Sequence, residues 1–343
     1  MNITFFCPVD LNDVNLNSQL LNQLLAVGKN RIINHTMAEL ICQQFSVPAT
    51  PDYPLAALTA GIGPDTPPHY YLQSDPVHLI LQRDAFTLSD PAALALSQAD
   101  LQALCDLLNQ HFFEEDFTFE LSKAALSHTE SDSESSSSFS QNKLLLRLNN
   151  PPKISTTLPE KVVARNVYDY LPQGENASYW NKITNEIQML LHEHALNQQR
   201  ELHQLPAINS IWLSAGGTLP KVAATCFNQV ISDICYVQTL AKLAKVECEL
   251  VSKPIPFVLN QNILIALKPN TDMAQWLDVL YKLVQQGATL QLNLAHQDAV
   301  LVCEIKPRDL YKLWLINCLR KVKLRTKNKT VLSYFQAYYQ RVI

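Results

Sequence analysis

The chain is poor in glycine, with seven in 343 residues. That is about 2% against a usual ~7%, which counts against a function built on a glycine-rich phosphate loop. Gly61 and Gly63 sit among prolines with no third glycine to follow, so they form no dinucleotide fingerprint. The eight cysteines contain no CxxC pair and mostly have apolar neighbours, which predicts reduced, buried thiols rather than a disulfide framework or a zinc ribbon. No apolar run approaches the ~18–20 residues of a bilayer span. The opening MNITFFCPVD has no early Lys or Arg before its short apolar stretch, unlike a secretory leader, and reads as a first strand. The expectation is a soluble, cytoplasmic protein. GxSxG, HExxH, Walker-type and kinase signatures are also missing.

What is present is a globular composition, 47% hydrophobic and 17% charged, with enough length for two or three domains or one large one. The net charge of −4 hides an asymmetry, because residues 1–150 carry −11 and residues 151–343 carry +7. Part of the positive excess is one cluster, Arg320, Lys321, Lys323, Arg325, Lys327 and Lys329. Such a patch could meet the phosphates of a nucleic acid, or be a solvated helix end. No aromatic residue interleaves it, as a single-strand binder would want.

Residues 128–142 read HTESDSESSSSFSQN, a Ser-rich acidic tract that cannot bury enough surface to offset ordering entropy. We expect an N-terminal α/β part over 1–127, a disordered insertion over 128–142 and a C-terminal α/β part over 143–343, the two parts forming one compact unit. Strands are expected at 3–8, 70–72, 79–82, 117–121, 143–148 and 210–213. The strands at 117–121 and 143–148 would pair across the tract, making it a hairpin insertion. Helices are expected at 18–26, 36–45, from Ser97, after Ser178, at 226–245 and at 272–286. Residues 289–294 and 300–305 alternate with period two around His296-Gln297-Asp298, a hairpin signal. The fold class is α/β, a mixed sheet with flanking helices.

The richest polar stretch runs from Arg165 to Gly217. Asn185, Gln188 and His192 share one helix face, and Asn197, Arg200 and Asn209 follow in what reads as a loop. An arginine among amides suits a phosphate or carboxylate, and equally suits tying a loop down through its carbonyls. Gly216-Gly217 after a strand could aim backbone N–H groups at an anion. The anion-binding candidates are therefore Arg165, Asn197, Arg200, Asn209, Gly216 and Gly217. Asp75 and His78, with Asp10 and Asp13 after the first strand, are the weak candidates for a metal or for acid–base work. His192 and His194 are two apart and point to different sides of a helix, so they make no chelating pair.

The strings SDPVHLIL (74–81), RNVYDYLPQG (165–174) and NEIQMLLHEHALNQQRELHQLPAINSIWLSAGG (185–217) resemble the bacterial RpfE-type regulatory family, whose members are described as relatives of cofactor-independent phosphoglycerate mutase. A narrower similarity to archaeal-type mutases rests on Asn197, Arg200, Pro206, Ala207, Asn209 and Gly216. That resemblance implies an alkaline-phosphatase-like α/β core, two divalent metals (Mn or Mg) and a Ser or Thr nucleophile. The chain departs from it in having no Asp-Gly after the first strand, no Asp-x-His and no late His-rich string, leaving Asp10 alone for the first carboxylate. The resemblance thus implies a degenerate, non-catalytic regulatory or adaptor protein without a cofactor, binding a protein partner or a phosphorylated small molecule. A metal-dependent mutase or phosphatase is the alternative, and nucleic-acid association through the basic cluster is a second.

Overall fold

The computed structural model describes residues 1–9, 18–63, 66–82, 85–89, 91–122, 143–251, 261–269, 271–312 and 330–342. Asp10, Asp13, the Ser-rich tract and the basic cluster 320–329 lie outside the described residues. The chain forms two compact units, Met1–Ser46 with Val222–Ile343, and Val47–Lys221. This is not the partition expected around the Ser-rich tract. The described residues flanking the tract belong to one unit, and the chain leaves the other unit after Ser46 and returns to it at Val222.

The first unit begins with β1 (Asn2–Pro8), α1 (Gln19–Val27), β2 (Lys29–Ile33) and α2 (Met37–Gln44). α2 starts at Thr36 because Thr36 and Glu39 close a reciprocal capping box that satisfies two otherwise orphaned N–H groups.

The second unit contributes α3 (Leu55–Thr59), β3 (Tyr70–Val77), the hairpin β4 (Leu79–Leu81) and β5 (Phe86–Leu88), then α4 (Gln98–His111), β6 (Phe117–Leu121) and β7 (Leu144–Leu148). Next come β8 (Ile154–Ser155), β9 (Gln173–Gly174), α5 (Ala177–His192), α6 (Ala195–Leu202) and β10 (Ser210–Gly217). Its main sheet is antiparallel in the order β10-β3-β7-β6. Period-two alternation sends Leu144, Leu146 and Leu148 to one face and Leu145 to the other. The first face takes Leu104 and Leu108 of α4 and Trp180, Ile183, Ile187 and Leu191 of α5. The opposite face receives α3 through Ala56, Ala57 and Ala60 against Tyr71 and Leu145.

β6 and β7 pair across the Ser-rich tract as expected, from Phe117↔Leu148 to Leu121↔Leu144. Asn109 on α4 holds β6 in place, donating to the Phe119 carbonyl at 2.8 Å and accepting from its N–H at 2.8 Å.

Back in the first unit, the chain adds β11 (Gln229–Ser232), α7 (Cys235–Leu243), β12 (Glu247–Glu249), β13 (Asn262–Ala266), α8 (Met273–Gln285), β14 (Thr289–His296), β15 (Ala299–Ile305) and α9 (Val331–Val342). The seven-stranded sheet runs β12-β11-β13-β1-β14-β15-β2, parallel through β14 and antiparallel at β15 and β2. The fold class is mixed α/β. Parallel strands covered on both faces read as continuous apolar runs, and the ILIA of β13 is buried throughout. α1, α8 and α9 cover one face, with Phe5, Trp276, Leu280 and Phe335 in one core.

Further expectations shift. The helix expected over 226–245 is the strand β11 followed by α7, because the β-branched pair Val230-Ile231 is zipped between β12 and β13. Asn197 and Arg200 lie on the short helix α6 rather than in a loop, since His194 caps it by accepting from the Leu196 N–H. The thiols are only partly interior: Cys7, Cys42, Cys105 and Cys303 are buried, Cys235 and Cys248 are half-buried, and Cys226 is exposed. Burial pushes the Cys42 and Cys303 thiols up to about 12, which keeps them protonated.

Leu280 is fully buried between α8 and the sheet. Leu280→Ala should cost about 2–5 kcal/mol, read as a lower urea midpoint of the first unit; a change below about 0.5 kcal/mol would contradict this core assignment.

Candidate functional site

The polar residues singled out from the sequence converge on one loop of the second unit, residues 203–209, between α6 and β10. Arg200 is 3% exposed. Its Nε donates to the Pro206 carbonyl at 2.9 Å, Nη2 donates to the Leu94 carbonyl, and Nη1 lies 3.2 Å from Asp100 Oδ2. Asp100 is the N3 residue of α4 and accepts from the Ser97 N–H with the same oxygen, so the guanidinium ties α6 to the start of α4. The buried Asn197 accepts from the Ile208 N–H and donates to the Ile208 and Leu191 carbonyls, each at 2.8 Å.

Asn209 continues the pattern, accepting from the Leu79 N–H at 2.7 Å and donating to the Leu79 carbonyl at 2.8 Å. His78 Nδ1 stands 2.8 Å from the Ala207 carbonyl; a carbonyl can only accept, so this nitrogen carries the proton. Pro206, Ala207 and Ile208 are thus each held by a different side chain. Apart from the Arg200 contact with the Asp100 carboxylate, the hydrogen bonds of Asn197, Arg200 and Asn209 described above serve the backbone of their own unit, which is the loop-tying role open to them in the sequence.

The other candidates stand apart from that loop. Arg165 is half-buried, with Nη1 3.4 Å from the Tyr170 hydroxyl. Gly216 and Gly217 end β10 at a bulge beside Ala215, whose φ of 56° is left-handed. A Cβ on Gly216 would collide with the Tyr70 hydroxyl, and one on Gly217 would come within 2.9 Å of the Pro54 Cα. These glycines are therefore required for close packing. Asn185, Gln188 and His192 do share a helix face and line an open groove of about 750 Å³ with Met189 and His194. Gln188 donates to the Ser210 hydroxyl at 3.2 Å, anchoring α5 to β10.

The metal candidates Asp75 and His78 belong to no group of three or more His, Cys, Asp or Glu among the described residues that could hold a metal ion. Asp75, 6% exposed, pairs with the Lys143 ammonium at 2.8 Å, and the Nδ1 of His78 is committed to Ala207. The donors that the mutase resemblance requires are thus not assembled by Asp75 and His78, and we derive no metal-dependent step.

Asp75 holds the Lys143 ammonium above its usual value of 10.5, against the opposing effect of burial. Two buried hydroxyls on the neighbouring strands β3 and β10, Ser74 and Ser214, have no partner among the described residues. The sequence had no means of separating a tie from a ligand contact here, because both use the same residue types. The one available signal was density: Asn197, Arg200, Pro206 and Asn209 fall within a single turn and loop that must be anchored.

No known family pattern matches the chain, and no curated protein does. Among solved structures it is similar to the cofactor-independent phosphoglycerate mutase from Thermoplasma acidophilum, at 14% identity and a TM-score of 0.37, covering 89% of this chain and 90% of that one. It is also similar to the PH0037 protein from Pyrococcus horikoshii, at 11% identity and a TM-score of 0.43, covering 89% and 87%. These likenesses are distant, and neither bears on chemistry or on the RpfE-type family.

Arg200→Ala and Asn197→Ala should each destabilise the second unit by about 2–4 kcal/mol, because each leaves buried carbonyls or an N–H unpaired. Urea unfolding checks this, and an unchanged midpoint would show that the ties are not needed. Lys143 gives a second check through the sign of its shift. A raised folded pKa contributes stability that is present below the ordinary lysine value and lost as pH rises through the folded one. Lys143→Met should therefore flatten the loss of stability above pH 10.5, measured as Tm against pH, while wild type declines more steeply there.

Proposed function

We propose that the protein is a non-catalytic cytoplasmic regulatory or adaptor protein of the RpfE type, built on a degenerate, alkaline-phosphatase-like scaffold related to phosphoglycerate mutase. One observation carries this reading. The residues matching the mutase pattern, Asn197, Arg200 and Asn209, bond to Leu79, Leu94, Leu191, Pro206 and Ile208 of their own unit. Catalysis of phosphoryl transfer would require such groups to be directed at the transferring phosphate instead. A segment that keeps its residue pattern while its donors serve the backbone is what a scaffold retained without its reaction would look like. The partner fitting this reading is another protein.

The test is made on one purified sample with and without Mn²⁺: metal content, and mutase and phosphatase turnover. A cooperatively folding protein with substoichiometric metal and turnover no faster than the blank is expected. Stoichiometric metal with turnover that is lost in Asp75→Asn would overturn the reading in favour of a metal-dependent mutase or phosphatase.

A further inference from the structure

A second cleft of the same unit, of about 480 Å³, lies where β8, β9, the end of β10 and the Thr50-Pro51 segment meet. Its size falls within the roughly 300–1,000 Å³ of small-ligand sites. Tyr70, 6% exposed, lines it. The Tyr70 hydroxyl lies over Gly216, where a Cβ would strike it. Around it stand Thr50, Lys153, Ser155, Gln173 and Thr218, with Pro51 and Pro151 as apolar walls.

The wall is held in shape. Ile154 and Ser155 pair with Gly174 and Gln173. Lys153 at φ 48° and Gly174 at φ 131° are both left-handed, and a Cβ on Gly174 would strike the Lys153 carbonyl. A non-glycine residue in the left-handed region, as Lys153 is, persists only where its surroundings over-determine it.

Charge decides the ligand class. The one cation in the lining, Lys153, is paired at 2.8 Å with Glu175. Asp52, which accepts from the Thr156 N–H at 2.9 Å, is close enough to act electrostatically on Tyr70. Burial first, and then Asp52, push the Tyr70 phenol up to about 12, so it keeps its proton. A phosphate ester would meet here only the one exposed ammonium of Lys153, already paired with a carboxylate. The Tyr70 and threonine hydroxyls and the Gln173 amide can donate and accept, while Ser155, whose Oγ donates to the Gln173 carbonyl at 3.5 Å, can still accept; such groups match a ligand whose own groups do both.

We propose that this cleft binds a neutral, polyhydroxylated small molecule of sugar type, with the Tyr70 hydroxyl as the buried anchor and Ser155, Gln173 and Thr218 as the outer contacts. The site does not rest on the regulatory reading, since it requires neither turnover nor its absence.

The test is saturation-transfer NMR on the full chain, with glucose, maltose and trehalose at millimolar concentration as neutral probes and ³¹P linewidths of inorganic phosphate alongside. At least one sugar should show transfer. The effect should fall fivefold or more in Tyr70→Phe and in Ser155→Ala, with Tm and circular dichroism unchanged in at least one of the two. Phosphate should not broaden. No transfer from any of the three sugars, transfer that survives both substitutions, or phosphate broadening that Tyr70→Phe removes would each overturn the proposal.

Discussion

The first unit depends on the pairing of its central strand with partners that lie far along the chain. Phe5 on β1 sits beside Ile265 of β13 on one side and Leu292 of β14 on the other. Until residues 262–296 are in place, β1 has neither its hydrogen-bonding neighbours nor cover for its apolar faces. The whole second unit intervenes in sequence between these partners. Such an excursion is tolerable because loop-closure entropy rises only slowly with length, and less still when the intervening chain folds by itself. The second unit has what it needs for that: its own antiparallel sheet, with α4 and α5 packed on one face.

Within the second unit, polar side chains do the work that further secondary structure would otherwise do. The loop from His203 to Asn209 has no ladder of its own, yet it enters a region where β10 is buried at every residue. Buried backbone groups must be paired, and side chains supply the partners. Arg200 reaches two carbonyls and a carboxylate, Asn197 serves three backbone groups, and Asn209 mimics a strand neighbour for Leu79. An arginine and two amides so engaged could not turn to a ligand without leaving those groups unsatisfied. The cleft at Tyr70 is the contrasting case, a tyrosine 6% exposed that lines open space.

Much of this was legible in the sequence, for physical reasons that differ by element. α8 could be read from Met273, Trp276, Leu277, Leu280 and Val284, because a one-sided helix repeats its apolar residues at three and four; all five are buried. The β14–β15 hairpin could be read from alternation, and the start of α4 from Ser97 and Asp100, whose capping box is local chemistry. The pairing of β6 with β7 was also legible, since an acidic Ser-rich tract has nothing to contribute to a core.

Other features were decided only by tertiary structure. β11 looked like the start of a helix because Val230 and Ile231 fit either period, and only the neighbouring strands β12 and β13 settle the choice. The division of the chain at Ser46 and Val222 carries no local signal, because it follows from which strands pair with β1. The candidate site shows the same limit. The sequence determined that Asn197, Arg200 and Asn209 would be grouped, and their residue types fitted a phosphate as well as a carbonyl. Which of the two they meet depends on where Leu94, Leu79 and Pro206 lie in space, and that is a property of packing that no spacing along the chain encodes.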